Sequence, residues 1–236
     1  MKIPHKILAS LVALLAAGLL QAADSKPVAR VMVTSDIETD DPASYAAWQS
    51  QENAIIKAKL GIETHFHVFV TAFDGVKSGT VRGVYTAESM AALAKINAFV
   101  ASDPALREIG ERFRAIRKFG PRVLSQGIRF DGTYPGSYVY TTTMRVTDEA
   151  AYLKALDGLR ALFDAKGFQD AKINAYRVLA GRTNYSHRVS IGVPTNDRLA
   201  ALLDLLGTDA QLSVWLADVA KYRTVVTSTT AHDITK

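Results

Sequence analysis

The segment GVYTAESMAALAKIN, from Gly83 to Asn97, returns in altered form as GVPTNDRLAALLDLL, from Gly192 to Leu206. Both segments read Gly-Val-x-Thr-x-acid-x-(Met/Leu)-Ala-Ala-Leu without a gap. A second pair follows each of them, ASDPALREIGERF from Ala101 to Phe113 and GTDAQLSVWLADV from Gly207 to Val219, with matching aspartates and apolar positions. Self-similarity at a fixed spacing is typical of repeated structural units. The sequence therefore predicts an internal duplication.

Each copy shows the same order of predicted elements. Alternating apolar residues predict strands, and apolar residues three and four apart predict helices. In copy one the predicted strands span 30–36, 63–73, 80–85 and 122–129, with helices that begin at 42, 88 and 104. In copy two they span 137–145, 171–179, 185–193 and 223–229, with one helix capped by Thr147 and two more after the third strand. Each copy then follows the β-α-β-β-α-β plan of ferredoxin-like folds.

These elements set the expected domain boundaries. We predict a first ferredoxin-like repeat over 28–130, a Gly- and Pro-rich linker over 131–136, a second repeat over 137–230 and a polar tail over 231–236. The predicted helices carry apolar stripes on one side, so they should cover one face of an antiparallel sheet in each repeat. The other sheet faces would then be buried against each other.

This plan resembles the dimeric α/β-barrel superfamily. The stretch YAAWQSQENAIIKAKLG, from Tyr45 to Gly61, is similar to the first helix of antibiotic-biosynthesis-monooxygenase-like members. The superfamily also contains stress-responsive barrel proteins and, in fused form, chlorite dismutases and dye-decolourising peroxidases. The resemblance implies an α+β protein whose two tandem repeats form one pseudo-dimeric α/β barrel. It does not decide the activity, because members range from cofactor-free oxygenases and haem enzymes to plain binding proteins.

The first 22 residues have the composition of an export signal. Lys2 and Lys6 precede the apolar run Ile7–Leu20, and Ala22 and Ala23 provide small residues for cleavage. The run is too short for a membrane anchor, so we predict a periplasmic or secreted protein without membrane contact after cleavage. The chain has no cysteine and a formal charge of +5. No disulfide framework is expected, and this charge is too small to indicate nucleic-acid binding.

The strand THFHVFV, Thr64 to Val70, carries two of the five histidines. Alternation puts His65, His67 and Phe69 on one face and the apolar side chains between them on the other. The apolar face should contact the helices, so the histidines should face the barrel interior. With Glu63 they could begin a metal site, although about three ligands are needed. The pair could also act as acid and base, or simply be hydrogen-bonded within the structure.

Copy two contributes its own candidates. Extending the gapless alignment puts Tyr176 at the position of His67, and Tyr140 is assigned to the same interior face. In GRTNYSHRVS, Gly181 to Ser190, an anionic or aromatic-acid ligand could contact Arg182, Tyr185 and His187, although a solvated turn would show the same composition. The predicted ligand-binding residues are His65, His67, Phe69, Tyr140, Tyr176, Arg182, Tyr185 and His187.

Three classes of function remain open at this point. No nucleophile elbow, zinc-protease helix, phosphate loop or haem-attachment motif is present in the sequence, and we expect no cofactor. The first hypothesis is a protein that binds a small, partly apolar ligand between the two sheets. The second is a cofactor-independent monooxygenase or isomerase that uses His65 and His67. The third is a structural or assembly protein, for which the sheet faces would contact a partner, and a homodimer is compatible with all three.

Overall fold

A computed structural model describes residues 30–62, 64–72, 80–134, 136–181 and 184–235. The predicted export signal lies outside these residues, as do the candidate site residues Glu63 and Arg182.

The described chain contains eight strands and six helices. Repeat one comprises β1 (Val31–Thr39), α1 (Pro42–Leu60), β2 (His65–Ala72), β3 (Thr80–Ala87), α2 (Met90–Ser102), α3 (Pro104–Ile116) and β4 (Arg117–Phe130). Repeat two comprises β5 (Tyr138–Val146), α4 (Glu149–Ala165), β6 (Lys172–Ala180), β7 (His187–Val193), α5 (Asn196–Thr208), α6 (Ala210–Val219) and β8 (Arg223–Asp233). The predicted α+β class and the tandem ferredoxin-like plan are confirmed.

All eight strands form one antiparallel sheet that closes into a barrel. The order is β1-β3-β2-β8-β5-β7-β6-β4, and β4 pairs with β1 to complete the circle. The seams between the repeats are β2–β8 and β4–β6, so the last strand of each repeat also pairs with the other repeat. The inner faces of the two half-sheets therefore meet within a single chain, as expected for a pseudo-dimeric α/β barrel.

The helices pack on the outside of the barrel and form one core in each repeat. Val68, Ile56 and Phe113 are fully buried in the first core, and Tyr152 and Leu202 in the second. None of the described helices alone is long and apolar enough to cross a membrane. Taken together, α5 and α6 satisfy that criterion by length and composition, but the chain bends by 74° between them.

Short polar side chains begin the helices. The residues whose side chains accept a backbone N–H of the first turn are Asp41, Ser89, Asp103, Asp148, Thr195 and Asp209. Such N-caps satisfy amides that have no partner within the helix. The predicted cap at Thr147 is wrong by one residue, because the Thr147 hydroxyl donates instead to the carbonyl of Tyr222.

The caps confirm the predicted match of the second pair of segments and correct that of the first. Ser89 and Thr195 begin equivalent helices 106 positions apart, and the next caps, Asp103 and Asp209, are separated by the same number. The predicted pairing of Gly83 with Gly192 is 109 positions apart and is therefore displaced by three. A three-residue shift keeps side chains on the same side of a helix, so the apolar pattern matched in the wrong register.

Two strands extend further than the sequence indicated. β4 begins at Arg117 rather than 122, because it follows β1 around an irregularity between Ser35 and Ile37. A Cβ on Gly120 would lie 3.3 Å from the Asp36 carbonyl oxygen at this irregularity, so glycine allows the close approach. β8 continues to Asp233 instead of ending at residue 229, because its last residues pair with β2. Residues 231–233, half of the predicted tail, therefore belong to β8.

Candidate functional site

The barrel interior contains two chambers. Arg82, Thr141 and Arg188 line both and separate them. One chamber, of about 80 Å³, is bounded by the segment that links the repeats and is called here the linker chamber. The other, of about 240 Å³, is rich in threonine and is called the threonine chamber. Both are lined by residues from the two repeats.

The linker chamber combines apolar walls with a few polar groups. Its apolar side chains include Met32, Phe69, Val84, Phe130 and Val139. Asn174 attaches the linker to this end of the barrel, because its side-chain oxygen accepts from the amides of Asp131 and Gly132, at 2.9 and 3.3 Å, and its nitrogen donates to the Gly132 carbonyl at 2.9 Å. Asp131 and Gly132 are therefore held against this end of the barrel.

His67 is held by a carboxylate at the wall of the linker chamber. Its Nδ1 donates to Oδ2 of Asp233 at 2.8 Å, and Asp233 is only 2% exposed. Burial alone would raise the pKa of Asp233, but the hydrogen bonds from His67 and Thr235 outweigh it and the pKa lies below its ordinary value. An ionised carboxylate on Nδ1 fixes the ring orientation and leaves Nε2 as the nitrogen able to accept a proton.

Four of the predicted site residues meet in the linker chamber. His65, His67, Phe69 and Tyr176 all line it, and the rings of His65 and His67 lie 6.3 Å apart. Burial raises the pKa of the Tyr176 phenol to about 12, against the opposing charges of Arg188 and Arg30. Tyr176 is therefore neutral at physiological pH and can offer a hydroxyl to a ligand.

Two predicted residues lie on the opposite side of the sheet. Tyr140 packs towards the helices of repeat two, where it lines a cavity with Tyr152 and Leu156. His187 faces α4, and its Nε2 lies 2.8 Å from Oε2 of Glu149. The predicted interior position of Tyr140 is wrong, because the strand pleat turns its neighbours Val139 and Thr141 inwards instead. The predicted grouping of His187 with Tyr185 is also wrong, because Tyr185 lines the interior and His187 does not.

Arg188 is the interior residue that the sequence interpretation missed. It is 8% exposed, and its Nη1 donates to Oγ1 of Thr34 at 2.8 Å while its Nη2 donates to the Tyr185 hydroxyl at 3.2 Å. Thr34 and Tyr185 both line the threonine chamber, so the guanidinium lies on that side. Tyr185, a predicted site residue, therefore lies at the barrel interior, where its hydroxyl contacts Arg188.

A further cavity of about 350 Å³ lies outside the barrel, between the sheet and the helices of repeat one. The buried Tyr85 hydroxyl lines it and has no hydrogen-bond partner among the described residues. Burial raises the pKa of Tyr85 and also that of Glu52, which lines the same cavity. No pattern in the sequence marked these two residues, which look like ordinary members of a strand and a helix.

The arrangement of histidines does not favour a metal or a haem. Within the described ranges, no three His, Asp or Glu side chains are grouped to hold a metal ion, and Nδ1 of His67 is already bonded to Asp233. The linker chamber, where the histidines lie, has about half the volume of an apolar cavity that holds a single benzene. A porphyrin does not fit there, and no described histidine lines either cavity under the helices.

Comparisons with protein-family models and with curated proteins found no match. Solved structures match over most of the chain. A "Putative monooxygenase" from Fusobacterium nucleatum subsp. nucleatum aligns with a TM-score of 0.57 and 10% identity over 88% of this chain and 93% of its own. A heme-binding protein from Thermus thermophilus aligns with a TM-score of 0.53 and 8% identity, covering 87% and 91%. An anthrone oxidase-like protein aligns with a TM-score of 0.51 and 17% identity, also covering 87% and 91%.

The chain has the dimeric α/β-barrel fold. Its two halves are repeats of one chain, so the barrel is complete without a second subunit. Identities this low establish the fold and not the activity. The solved relatives are compatible with ligand binding and with enzyme-like chemistry. The geometry of this α/β barrel must therefore distinguish between these functions.

Proposed function

We propose that this α/β barrel binds a small, partly apolar ligand in its interior. The main supporting observation is that side chains from both repeats converge on two adjoining chambers rather than filling the barrel. Ligand sites are typically concave and mostly apolar, with a few polar groups that fix orientation. The linker chamber has this composition, with His67 and Tyr176 as the orienting groups.

The two repeats make this interior asymmetric. Phe69 pairs with Arg82 across β2 and β3, and Tyr176 pairs with Arg188 across β6 and β7. These pairs occupy equivalent places, so Phe69 corresponds to Tyr176, and by the same pairing His67 corresponds to Asn174. A ligand therefore meets an imidazole and a phenyl ring on one side and an amide and a phenol on the other, which favours a single orientation.

Gly192 provides a direct test. It lines the linker chamber, and a Cβ placed on it meets no atom within 4 Å. The variant Gly192→Leu should fold normally but fill the chamber. Ligand-observed NMR screening of neutral and charged fragments should give hits for the unmodified protein that Gly192→Leu loses. Gly207→Ala, in α5 outside the barrel, is the control and should keep them.

The same screen can contradict the proposal. If Gly192→Leu is folded by circular dichroism and binds the same fragments with the same affinities as the unmodified protein, the barrel interior is not the binding site. Untargeted mass spectrometry of small molecules released from the denatured protein then shows whether a natural ligand is retained, and Gly192→Leu protein should release less of it.

A second candidate function is cofactor-independent oxygenation or isomerisation. It is supported by the contact between His67 and the buried Asp233, since a positioned imidazole can accept a proton from a bound substrate. His67→Ala should abolish turnover of a substrate found by screening in protein shown to be folded by circular dichroism. It should also lower the melting temperature, because it leaves the buried Asp233 carboxylate without its partner. Undiminished turnover would exclude His67 as the base.

A structural or assembly role has less support. The inner sheet faces that such a role would use are covered by each other inside the barrel. A homodimer through the outer surface remains a prediction, as does export to the periplasm or medium.

A further inference from the structure

Arg82 and Arg188 occupy equivalent places in the two repeats. Arg82 lies opposite Phe69 on β2 and Asp36 on β1. Arg188 lies opposite Tyr176 on β6 and Thr143 on β5. The duplication therefore builds the same arginine twice into the barrel wall, but with a different partner on the neighbouring strand.

The partner is a carboxylate in repeat one only. Nε of Arg82 donates to Oδ1 of Asp36 at 3.1 Å. In repeat two the equivalent position is Thr143, and neither its hydroxyl nor the Nε of Arg188 has a hydrogen-bond partner among the described residues. Both side chains are deeply buried, at 7% and 8% exposure, and both line the threonine chamber. The Thr143 hydroxyl and the Nε of Arg188 are thus buried and unpaired, in two side chains that line the same chamber.

The charges around the threonine chamber leave Arg188 unbalanced. Asp36 forms an ion pair with Arg82, and Glu38 lies 3.8 Å from Lys118 at the surface. Arg188 itself forms no ion pair with any described carboxylate, and its charge is buried with two neutral hydroxyls as partners. A buried charge without a direct ion-pair partner is costly. Burial and the nearby charge of Arg82 lower the pKa of this guanidinium, and the opposing effects of Tyr185 and Asp36 do not offset them. One negative charge in the chamber would give Arg188 the kind of partner that Arg82 has in Asp36.

We propose that the ligand is a small monocarboxylate whose carboxylate occupies, in repeat two, the place that Asp36 holds in repeat one. One oxygen accepts from Nε of Arg188 and from the hydroxyl of Thr143. The remainder of the ligand extends towards the linker chamber, which Arg188 also lines. This inference rests on the proposed function and assigns the chemical class of its ligand. A monoanion fits the threonine chamber better than a dianion because, among the charged side chains that line it, only Arg188 forms no ion pair with a described residue.

The test supplies the carboxylate in two ways. Melting temperature is measured at pH 7 and constant ionic strength with formate, acetate or propionate, and with chloride or phosphate for comparison. A ligand that binds only the folded state raises the melting temperature in a concentration-dependent manner. We expect this rise with the carboxylates in the unmodified protein. In Thr143→Asp, which installs the carboxylate of repeat one, the melting temperature should be higher without ligand and no longer respond to it.

Two further variants keep the test decisive if Thr143→Asp misfolds. Thr143→Val removes one donor to the anion and should weaken carboxylate affinity roughly tenfold or more, as expected for a hydrogen bond to a charged group. Thr142→Val is its matched control, because Thr142 directly precedes Thr143, is buried to the same extent and faces the opposite side of the sheet. Asp36→Thr copies the arrangement of repeat two into repeat one. This variant should be less stable than the unmodified protein, and added formate should restore part of the lost stability.

The outcomes separate this inference from the proposed function. Equal shifts with chloride and formate, or unchanged carboxylate binding in folded Thr143→Asp, would overturn the monocarboxylate assignment while leaving ligand binding intact. If Gly192→Leu still binds formate but loses propionate, both proposals are supported, since only the larger ligand needs the linker chamber. Binding of neutral fragments without any carboxylate effect overturns the inference alone, and absence of all binding overturns both.

Discussion

At the scale of single residues, alternation placed the β2 side chains correctly because one face of that strand is entirely apolar. Val68 is fully buried beneath the helices, so His67 and Phe69 point inwards. In β7, Val189 and Ile191 also form an apolar set that faces the helices. Alternation from these two residues places His187 on the helix side and Arg188 inside the barrel. β5 was harder, because aromatic and threonine side chains are acceptable on either face.

The hydrogen bond between His67 and Asp233 gives a pH-dependent prediction. The pKa of Asp233 is lower in the folded state than its ordinary value of about 3.9. Its stabilising contribution is therefore present above that value and is lost as the pH falls through the folded-state pKa. Asp233→Asn should lower the free energy of unfolding at pH 7 by about 1–3 kcal/mol, the cost of a lost charged hydrogen bond.

Urea unfolding at several pH values checks this prediction. The difference between Asp233→Asn and the unmodified protein should narrow below about pH 4. The control is Asp157→Asn, which alters an exposed carboxylate paired with Arg129 and should cost less than about 1 kcal/mol. A stability difference that stays constant from pH 7 to pH 3 would show that Asp233 acts through packing and not through its charge.

At the scale of elements, the helix caps carry information that the apolar pattern lacks. Apolar residues recur every three or four positions, so a helix can be aligned with its copy in more than one register. Ser89 and Thr195 begin their helices at one point only. Aligning the caps first would have given the correct correspondence of the repeats, and with it the equivalence of Arg82 and Arg188.

The turn after β6 gives a prediction at the same scale. Gly181 has φ of +105°, and a Cβ there would lie 2.3 Å from the carbonyl oxygen of Arg122 on β4. Gly181→Ala should therefore destabilise the protein by about 1–3 kcal/mol through backbone strain. Gly207→Ala, in a helix with open space around it, should stabilise by roughly 0.5–1 kcal/mol. Chemical denaturation measures both, and equal effects would contradict the assigned conformation of Gly181.

At the scale of the whole molecule, the duplication predicted a pseudo-dimeric barrel but not the seams that close it. Residues 230–233 pair with β2 from the other end of the chain, and no local pattern distinguishes such a pairing from a polar tail. Closure is what places Asp233 beside His67. It also faces the two arginines of the repeats towards a shared interior. The site could therefore be predicted in part, on β2 and β6, whereas its charge balance depends on contacts between distant strands.

A carboxylate at Arg188 would complete the interior of the barrel, and a high-resolution crystal structure of the protein grown with propionate can show it. We predict density for the carboxylate within hydrogen-bonding distance of Nε of Arg188 and the Thr143 hydroxyl, with the short ethyl group towards the linker chamber. Density for ordered water alone at those two atoms, with propionate absent from the barrel, would show that Arg188 does not bind a carboxylate.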